Sequence, residues 1–386
     1  MCAHPLSFSQ GPPEAVRTDF IDRLRVGLTA LVVAHHGAIT YGASGDWFYR
    51  DTPGAASASG ALLTVFTAVN QTFFMGLFFL LAGYHTPTSW RRKGSVRFIT
   101  DRCLRLGVPL LLFGFVLGPL SVALAGLPAS QGVLGPWVDL MVQGRFVIGP
   151  LWFAFALLLF SIGWVCWASW RRSSAGLSNN ATWPMPSFWT CLVAALGVGA
   201  VALFVRQWWP VGQSVLGLQL GYFPSYVFLF AVGCKAAGGH WLERIEPRQA
   251  RQWGRMAWLA FPALFVAVAL EGGLQGRAVH FQGGLGLAAV VYALWEPLLA
   301  WGIILNLLLV FRFRVQQPSE RWRRWSQNAY GAFFLHAPVL VGLAVLASSW
   351  QAPTLVKFCF VVPAAIVLSF WLARWLRAMP GASHVW

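Results

Sequence analysis

The stretch Asp22-Arg23-Leu24-Arg25-Val26-Gly27-Leu28-Thr29-Ala30-Leu31-Val32-Val33-Ala34-His35-His36 opens the first long apolar segment of the chain. Arg25 and His36 are eleven residues apart, so on a helix they share nearly one face, about 16 Å from each other along the axis. A permanent cation and an imidazole on one face of an apolar helix are costly in lipid, and such groups are functional candidates. The stretch therefore predicts a membrane helix that carries part of a site.

The composition of the whole chain is that of a polytopic membrane protein. Of its 386 residues, 57% are hydrophobic and only 10% are charged, which is too little polar surface to cover a soluble domain of this length. Each apolar span approximates the ~20 residues that cross about 30 Å of hydrocarbon. We therefore expect an all-α fold, a polytopic helical bundle with about ten transmembrane helices. The predicted spans are 24–42, 67–84, 105–124, 150–169, 187–205, 219–236, 256–270, 287–310, 328–347 and 354–373.

The net charge of +16 reflects topology rather than a nucleic-acid partner, because the basic residues cluster on one side of the predicted spans. Only five of the 28 Lys and Arg residues fall in predicted outer segments. The positive-inside rule then places both termini in the cytoplasm, and the partner is the lipid bilayer, not nucleic acid. The five outer basic residues are Arg50, Arg145, Arg206, Arg277 and Lys357.

The chain divides into one large domain and two short ends. Residues 1–21 lack the apolar core of a signal peptide and are predicted as a cytoplasmic segment before a retained anchor. Residues 22–377 form the predicted transmembrane domain, and residues 378–386 a cytoplasmic tail. The six cysteines form no Cys-x-x-Cys pair and no cluster with histidine, so we expect no metal site. Nothing in the sequence indicates the oligomeric state.

Histidine and arginine side chains in the first and third spans are the main candidates for chemistry. His36 suits a general base, because an imidazole exchanges protons near neutral pH; a packing role is its alternative. His35 points about 100° away and is expected to hydrogen-bond to a neighbouring helix. Arg102 and Arg105, three residues apart, share a helix face and suit bidentate capture of phosphate or carboxylate. The alternative is that both arginines only follow the positive-inside rule, with side chains that extend to the membrane surface.

Three further polar groups have less specific roles. Glu296 lies inside the eighth span and must be protonated or paired; it either orients His36 or, as we slightly favour, pairs with an arginine. His336 in the ninth span is expected mainly to hydrogen-bond between helices. Asp46, beside Trp47, either belongs to an ordinary interfacial loop, which is the favoured reading, or holds a sugar hydroxyl. Gly114-x-x-x-Gly118 predicts close packing with another helix.

Six segments of the chain carry a family resemblance: Asp22-Arg23-Leu24-Arg25 with His36, Phe78-Phe79-Leu80-Leu81-Ala82-Gly83-Tyr84, Arg102-x-x-Arg105-Leu106-Gly107-Val108-Pro109, Gly149-Pro150-Leu151-Trp152-Phe153, Phe223-Pro224-Ser225-Tyr226, and Ala329-Tyr330-Gly331 through His336-Ala337-Pro338. In this order they resemble the membrane-bound acyltransferase-3 family, which includes O-acetylases and the glucan succinyltransferases called glucan biosynthesis protein C. The resemblance covers about Asp22 to Arg377, nearly the whole chain.

The resemblance implies that Arg25 and His36 are the essential pair and that Arg102 and Arg105 form the family's Arg-x-x-Arg motif. It implies acyl transfer from cytosolic acyl-CoA, either acetyl-CoA or succinyl-CoA, to a hydroxyl of a carbohydrate or similar acceptor. No bound cofactor is implied, since acyl-CoA is a co-substrate. Trp152 and Tyr330, within the resembling segments, join the candidates for acceptor contact or support. The implied setting is the bacterial inner membrane, with polysaccharide modification such as O-acetylation as the role.

Two other classes of protein fit the same polar residues. A transporter or flippase for a glycan or small anion would also line its path with intramembrane Arg, His and Glu, although the chain shows no inverted repeat. A non-catalytic scaffold of a polysaccharide assembly complex would tolerate the loss of Arg25. Labelling of a glycan by radioactive acyl-CoA separates the enzyme from both.

Overall fold

The computed structural model describes residues 19–52, 57–127, 132–174, 183–314 and 319–382. These residues form twelve helices and no β-strand, which confirms the predicted all-α class. The helices are α1 (Asp19–Thr40), α2 (Ala58–Lys93), α3 (Ser95–Ala125), α4 (Leu134–Val142), α5 (Trp152–Ser174), α6 (Phe188–Val205), α7 (Phe223–Gly239), α8 (Trp241–Arg244), α9 (Pro247–Leu270), α10 (Leu287–Arg314), α11 (Glu320–Leu346) and α12 (Thr354–Ala378).

Nine helices of the described residues are long and apolar enough to cross a membrane: α2, α3, α5, α6, α7 and α9 to α12. The 22-residue α1 is as long as several of them. It is not among the nine because its arginines and histidines lower its mean hydropathy. Together with α1, the nine helices correspond one to one with the ten predicted spans.

Several helices extend well beyond the predicted spans. The second span was predicted at 67–84, but α2 runs for 36 residues. It begins where the Ser57 hydroxyl accepts a hydrogen bond from the Gly60 N–H, and it ends at Gly94, whose φ of 75° favours glycine. Hydropathy locates only the apolar middle of such a helix, because backbone hydrogen bonding continues past the hydrocarbon. Residues 125–149, predicted as a loop between the third and fourth spans, contain the short helix α4.

Helix α1 lies inside the bundle and contacts α2, α10, α11 and α12. Its apolar face, including Ile21, Leu24 and Leu28, is almost completely buried in the main core. Gly37 lets α12 approach closely, since a Cβ at this position would come within 2.3 Å of a Val362 methyl group. This central position keeps the polar residues of α1 away from lipid.

The bundle has two chemically different ends. At one, which we call the basic end, Arg25 lies near the start of α1 and Arg102 near the start of α3. Two hydrogen bonds link separate segments at the basic end: the Tyr330 hydroxyl donates to the Arg105 carbonyl at 2.9 Å, and the Arg312 guanidinium donates to the Ile245 carbonyl at 2.9 Å. The other end carries Trp47 in the loop after α1 and is called the Trp47 end.

Helices α2 and α7 cross at a contact that only glycine permits. A Cβ at Gly83 would lie 2.2 Å from the Phe230 carbonyl oxygen, and one at Gly233 would lie 2.2 Å from the Leu80 carbonyl oxygen. Both obstacles are backbone atoms, so a side-chain rotation cannot relieve the clash. Close approach through small residues is a common way for helices to associate in lipid.

The sequence predicts that Gly114 and Gly118 pack against another helix, and this prediction is wrong. These glycines pack against Phe146 and Val147, which belong to a segment without regular secondary structure and not to a helix. The Val147 N–H donates to the Gly114 carbonyl at 2.9 Å. The Gly114 carbonyl is free because, at the end of the π-helical stretch Phe113–Leu117, the Gly118 N–H donates to the Phe113 carbonyl and Pro119 has no N–H.

The glycine crossing gives a direct test of the packing. Gly83→Ala should lower stability by at least the ~1–3 kcal/mol typical of overpacking, because α2 and α7 must separate. The control is Gly163→Ala in α5, where a new Cβ meets nothing within 4 Å. Thermal unfolding in detergent should show a lower midpoint for the first variant only. Equal midpoints for the two variants would contradict the close crossing.

Candidate active site

A large cavity opens between the loops of the Trp47 end and reaches α1 inside the bundle. Its volume is about 1070 Å³, at the upper end of the range for ligand pockets. His35, His36, Asp46, Trp47 and Trp152 all line it. The polar residues among the rest of the lining are Ser44, Thr64, Thr67, Gln71, Ser214, Gln219, Tyr222, Tyr226, Gln282 and Tyr292.

His36 lies where α1 meets this cavity. Its ring stacks on Trp47, with centroids 3.8 Å apart and planes 15° apart. Its Nδ1 atom is buried and has no hydrogen-bond partner among the described residues. Most buried polar atoms in folded proteins are satisfied, so an atom without a protein partner on the wall of a cavity is available to a ligand or to water. His36 is thus held rigidly at the cavity with part of its hydrogen-bonding capacity unused.

His336 of α11 is the direct neighbour of His36. The two rings stack with centroids 5.4 Å apart, and Trp47 lies 5.9 Å from the His336 ring. His336 is completely buried, and its Nδ1–H donates to the Phe333 carbonyl at 2.5 Å. This bond fixes the proton of a neutral ring on Nδ1 and leaves Nε2 as an acceptor without a partner in the described part of the chain. The hydrogen bond to another helix that was expected of His336 is not seen among the described residues, because its bond goes to Phe333 of its own helix and its ring stacks on His36 of α1 instead.

His35 makes the interhelical contact expected of it. Its Nδ1 lies 3.3 Å from the Asn70 amide nitrogen of α2, and its ring stacks on Phe74. The His35 and His36 rings meet edge to face at 5.5 Å. In the described ranges, no three His, Cys, Asp or Glu side chains form a group that could hold a metal ion.

Aromatic residues form another wall of the cavity. Trp152, at the start of α5, stacks on Tyr226 at 5.6 Å, and the Gln71 amide donates to the Tyr226 hydroxyl at 3.2 Å. Gly149 makes the turn before Trp152 with φ of 44°, and a Cβ there would lie within 3 Å of Phe113 and Phe48. The segment from Gly149 to Trp152 therefore depends on glycine both for its backbone conformation and for space. Asp46 lines the cavity mouth and is exposed.

Glu296 pairs with an arginine and does not orient His36. Its carboxylate forms an ion pair with Arg206, and each side chain is only 1% exposed. The Arg206 Nε–H also donates to the Gly221 carbonyl at 3.0 Å, and the guanidinium lies over the rings of Tyr222 and Tyr292. The pair ties α6 to α10 behind the tyrosines that line the cavity. Arg206 in this role was not anticipated, although an arginine next to an apolar span is a sign of such pairing.

The predicted arginines gather at the basic end, far from the cavity. Arg25 forms an ion pair with Asp22 at 3.2 Å and remains about one-third exposed. Arg102 lies within electrostatic range of both Arg25 and Arg105. His85, near the end of α2, interacts with Arg25 and Arg102 and was missed from the sequence. The sequence signal that could have identified His85 is an ionisable residue in an apolar segment that ends in basic residues.

An aromatic layer separates the arginines from the cavity. Phe153 of α5 contacts Phe78 at 5.5 Å and Phe333 at 6.0 Å, and Phe333 lies 5.6 Å from His336. On α2, Gln71 lines the cavity and His85 lies near the arginines, about 21 Å further along the helix axis. The candidate residues therefore form two clusters at different depths, with phenylalanines between them.

The fold and these clusters define an integral-membrane helical bundle with a histidine site inside it and a basic site at one end. The family model described as an acyltransferase domain, acyltransferase-3, matches residues 18–374 of the chain. The chain therefore belongs to the acyltransferase-3 family and is a membrane acyltransferase. No curated protein and no solved structure gives a significant match.

The ion pair yields a test of its structural role. Glu296→Leu should lower stability by about 3–5 kcal/mol, because Arg206 would be left buried without a counter-ion. Adding Arg206→Leu should recover much of the loss, since two apolar side chains of similar volume replace the pair. The measurement is thermal unfolding in detergent for the two single variants and the double variant. A double variant less stable than both single variants would contradict this role.

Proposed function

We propose that the protein transfers an acyl group from acyl-CoA, either acetyl-CoA or succinyl-CoA, to a hydroxyl group of a carbohydrate or similar acceptor. The observation that carries the proposal is the position of His36 on the wall of the cavity, with its Nδ1 unpartnered among the described residues. Family membership supplies the class of reaction. The cavity lining supports a carbohydrate acceptor, because aromatic faces beside amide and hydroxyl groups suit a polyhydroxyl ligand.

The chemical step assigns His36 the role of general base. His36 removes the proton of the acceptor hydroxyl, and the oxygen attacks the thioester carbonyl carbon. The carbon–sulfur bond then breaks, the coenzyme A thiolate leaves, and the imidazolium returns the proton to that sulfur. His336 is a positioning residue in this scheme, since its Nε2 is a hydrogen-bond acceptor close to the His36 ring.

The donor is assigned to the basic end. Arg25, Arg102 and Arg105 are suited to the phosphates of coenzyme A, because guanidinium groups bind phosphate oxygens in pairs. His85 adds a further hydrogen-bonding group beside Arg25 and Arg102. The long pantetheine arm would carry the thioester past Phe78, Phe153 and Phe333 towards His36. Tyr330 supports this end from α11 through its bond to the Arg105 carbonyl.

The two clusters also suggest that the substrates arrive from opposite sides. Positive-inside bias assigns the basic end to the cytoplasm, where acyl-CoA is present. The cavity would then face the outer side of a bacterial inner membrane, with both termini in the cytoplasm. The acceptor would enter between the loops that carry Asp46 and Gly149, both of which line the cavity.

The base assignment is tested by His36→Ala. Acyl transfer should fall by roughly 10²–10⁴-fold, the usual contribution of a general base. Binding of acyl-CoA should persist, since the arginines are untouched. The matched control is His280→Ala, an exposed histidine outside the cavity. The measurement is turnover of radiolabelled acyl-CoA by purified protein. Normal turnover in His36→Ala would exclude His36 as the base.

The donor assignment is tested by Arg102→Ala. The KM for acyl-CoA should rise roughly 10- to 100-fold, as expected for loss of a charged hydrogen bond. The KM for the acceptor should stay close to its normal value, because the cavity is distant. Arg97→Ala, an exposed arginine on the same helix, serves as the control. Equal effects of both variants on the KM for acyl-CoA would indicate a general effect of surface charge.

A further inference from the structure

The cavity contains one formal negative charge and no permanent positive one. Among its described lining residues, Asp46 is the single acidic residue, and no Lys or Arg is present. The sequences of segments 53–56 and 128–131, which are outside the described residues, contain no ionisable residue. Apart from Asp46, His35 and His36, every described lining residue is neutral.

Of the five basic residues predicted on this side of the bundle, three are engaged elsewhere, and the other two, Arg145 and Arg277, are exposed and do not line the cavity. Arg206 is held by Glu296, as described above. Lys357 at the start of α12 forms an ion pair with Asp51 at 2.9 Å, and both are more than 90% buried. Arg50 donates to the Gly45 carbonyl. None of these three lines the cavity.

An anionic ligand would therefore meet an unfavourable environment. A carboxylate, sulfate or phosphate loses its hydration on entering and gains no counter-ion, which is a large penalty for a charged group. Asp46 adds direct repulsion. The three arginines of the basic end, to which the proposed function assigns the phosphate-bearing donor, provide the positive charge that the cavity lacks.

The neutral groups suit hydroxyls instead. The Tyr222 and Tyr292 hydroxyls share a hydrogen bond of 3.2 Å, and the side chains of Gln71, Gln219 and Gln282 line the same space. Amides and hydroxyls both donate and accept hydrogen bonds, as sugar hydroxyls do. An amine would gain from the Asp46 carboxylate as well.

We infer that the acceptor segment entering the cavity is a neutral or amine-bearing polyhydroxyl compound, and that the cavity rejects glycans with carboxylate, sulfate or phosphate groups near the acylated hydroxyl. This inference rests on the proposed function, which supplies the reaction. It adds a rule for the acceptor, which is selected by the absence of negative charge, and the same argument favours acetyl-CoA over succinyl-CoA as the donor.

The first experiment identifies the class of acceptor. A bacterial glycan extract is divided by ion exchange into neutral, cationic and anionic pools, and each is incubated with purified protein and radiolabelled acyl-CoA. Label should enter the neutral or cationic pool and be lost in His36→Ala. Label in the anionic pool alone, still dependent on His36, would overturn the inference while the proposed function stands. Label in no pool would overturn both.

The second experiment changes the charge of the cavity. The accepted glycan is oxidised at its primary hydroxyls, and kcat/KM is measured for the neutral and the oxidised form. Asp46→Asn should raise the oxidised-to-neutral ratio by about tenfold, the scale of one screened charge at about 10 Å. Gln219→Arg should raise the ratio in the same direction by providing a counter-ion. Asp139→Asn, exposed and outside the cavity lining, is the control and should leave the ratio unchanged.

The ratio separates charge selection from loss of structure, because misfolding lowers both rates together. An oxidised glycan that is used as well as the neutral one by the unmodified protein would overturn the inference. So would a ratio that Asp46→Asn and Gln219→Arg leave unchanged.

Discussion

The cost of polar side chains in lipid is the constraint on which the bundle depends. Helix α1 carries Arg25, His35 and His36, and none of them is stable against hydrocarbon without a partner. In the structure, α1 is surrounded by α2, α10, α11 and α12. The apolar face of α1 then becomes part of the main core, and its histidines face a cavity and not lipid.

The intramembrane polar groups divide into those that are paired and those that are not. Arg206 with Glu296 and Lys357 with Asp51 form buried ion pairs that link distant parts of the chain. His36 and His336 keep one ring nitrogen each without a partner among the described residues. A paired group stabilises a particular packing, whereas a rigid unpaired group retains the capacity to bind or to move a proton. Arg206 and Glu296 each also leave one buried polar atom without a hydrogen bond, so scaffold and candidate site differ in the ion pair and in the position of His36 at the cavity.

The candidate residues are also separated into two clusters along the axis of the bundle. Guanidinium groups at the basic end suit an anionic, phosphate-bearing donor, and the nearly uncharged cavity suits a hydroxyl-bearing acceptor. The phenylalanine layer around Phe153 lies between them. Under the proposed function, the phosphate-bearing part of the donor and the acceptor would bind in separate environments, and only the thioester would have to reach the cavity.

Hydrophobic periodicity and charge patterning determined the all-α bundle and the approximate position of each long helix, since twenty apolar residues have few stable arrangements in lipid. The pair Arg25 and His36, eleven residues apart on one helix, was also predictable because it depends only on helical geometry. Helix ends such as Lys93 were not, because hydropathy does not report where helical hydrogen bonding stops. The partners of Glu296 and His336 were decided only by the tertiary structure. Contacts between residues 90 or 300 positions apart depend on which helices become neighbours, and that is set by close approaches such as Gly83 against α7.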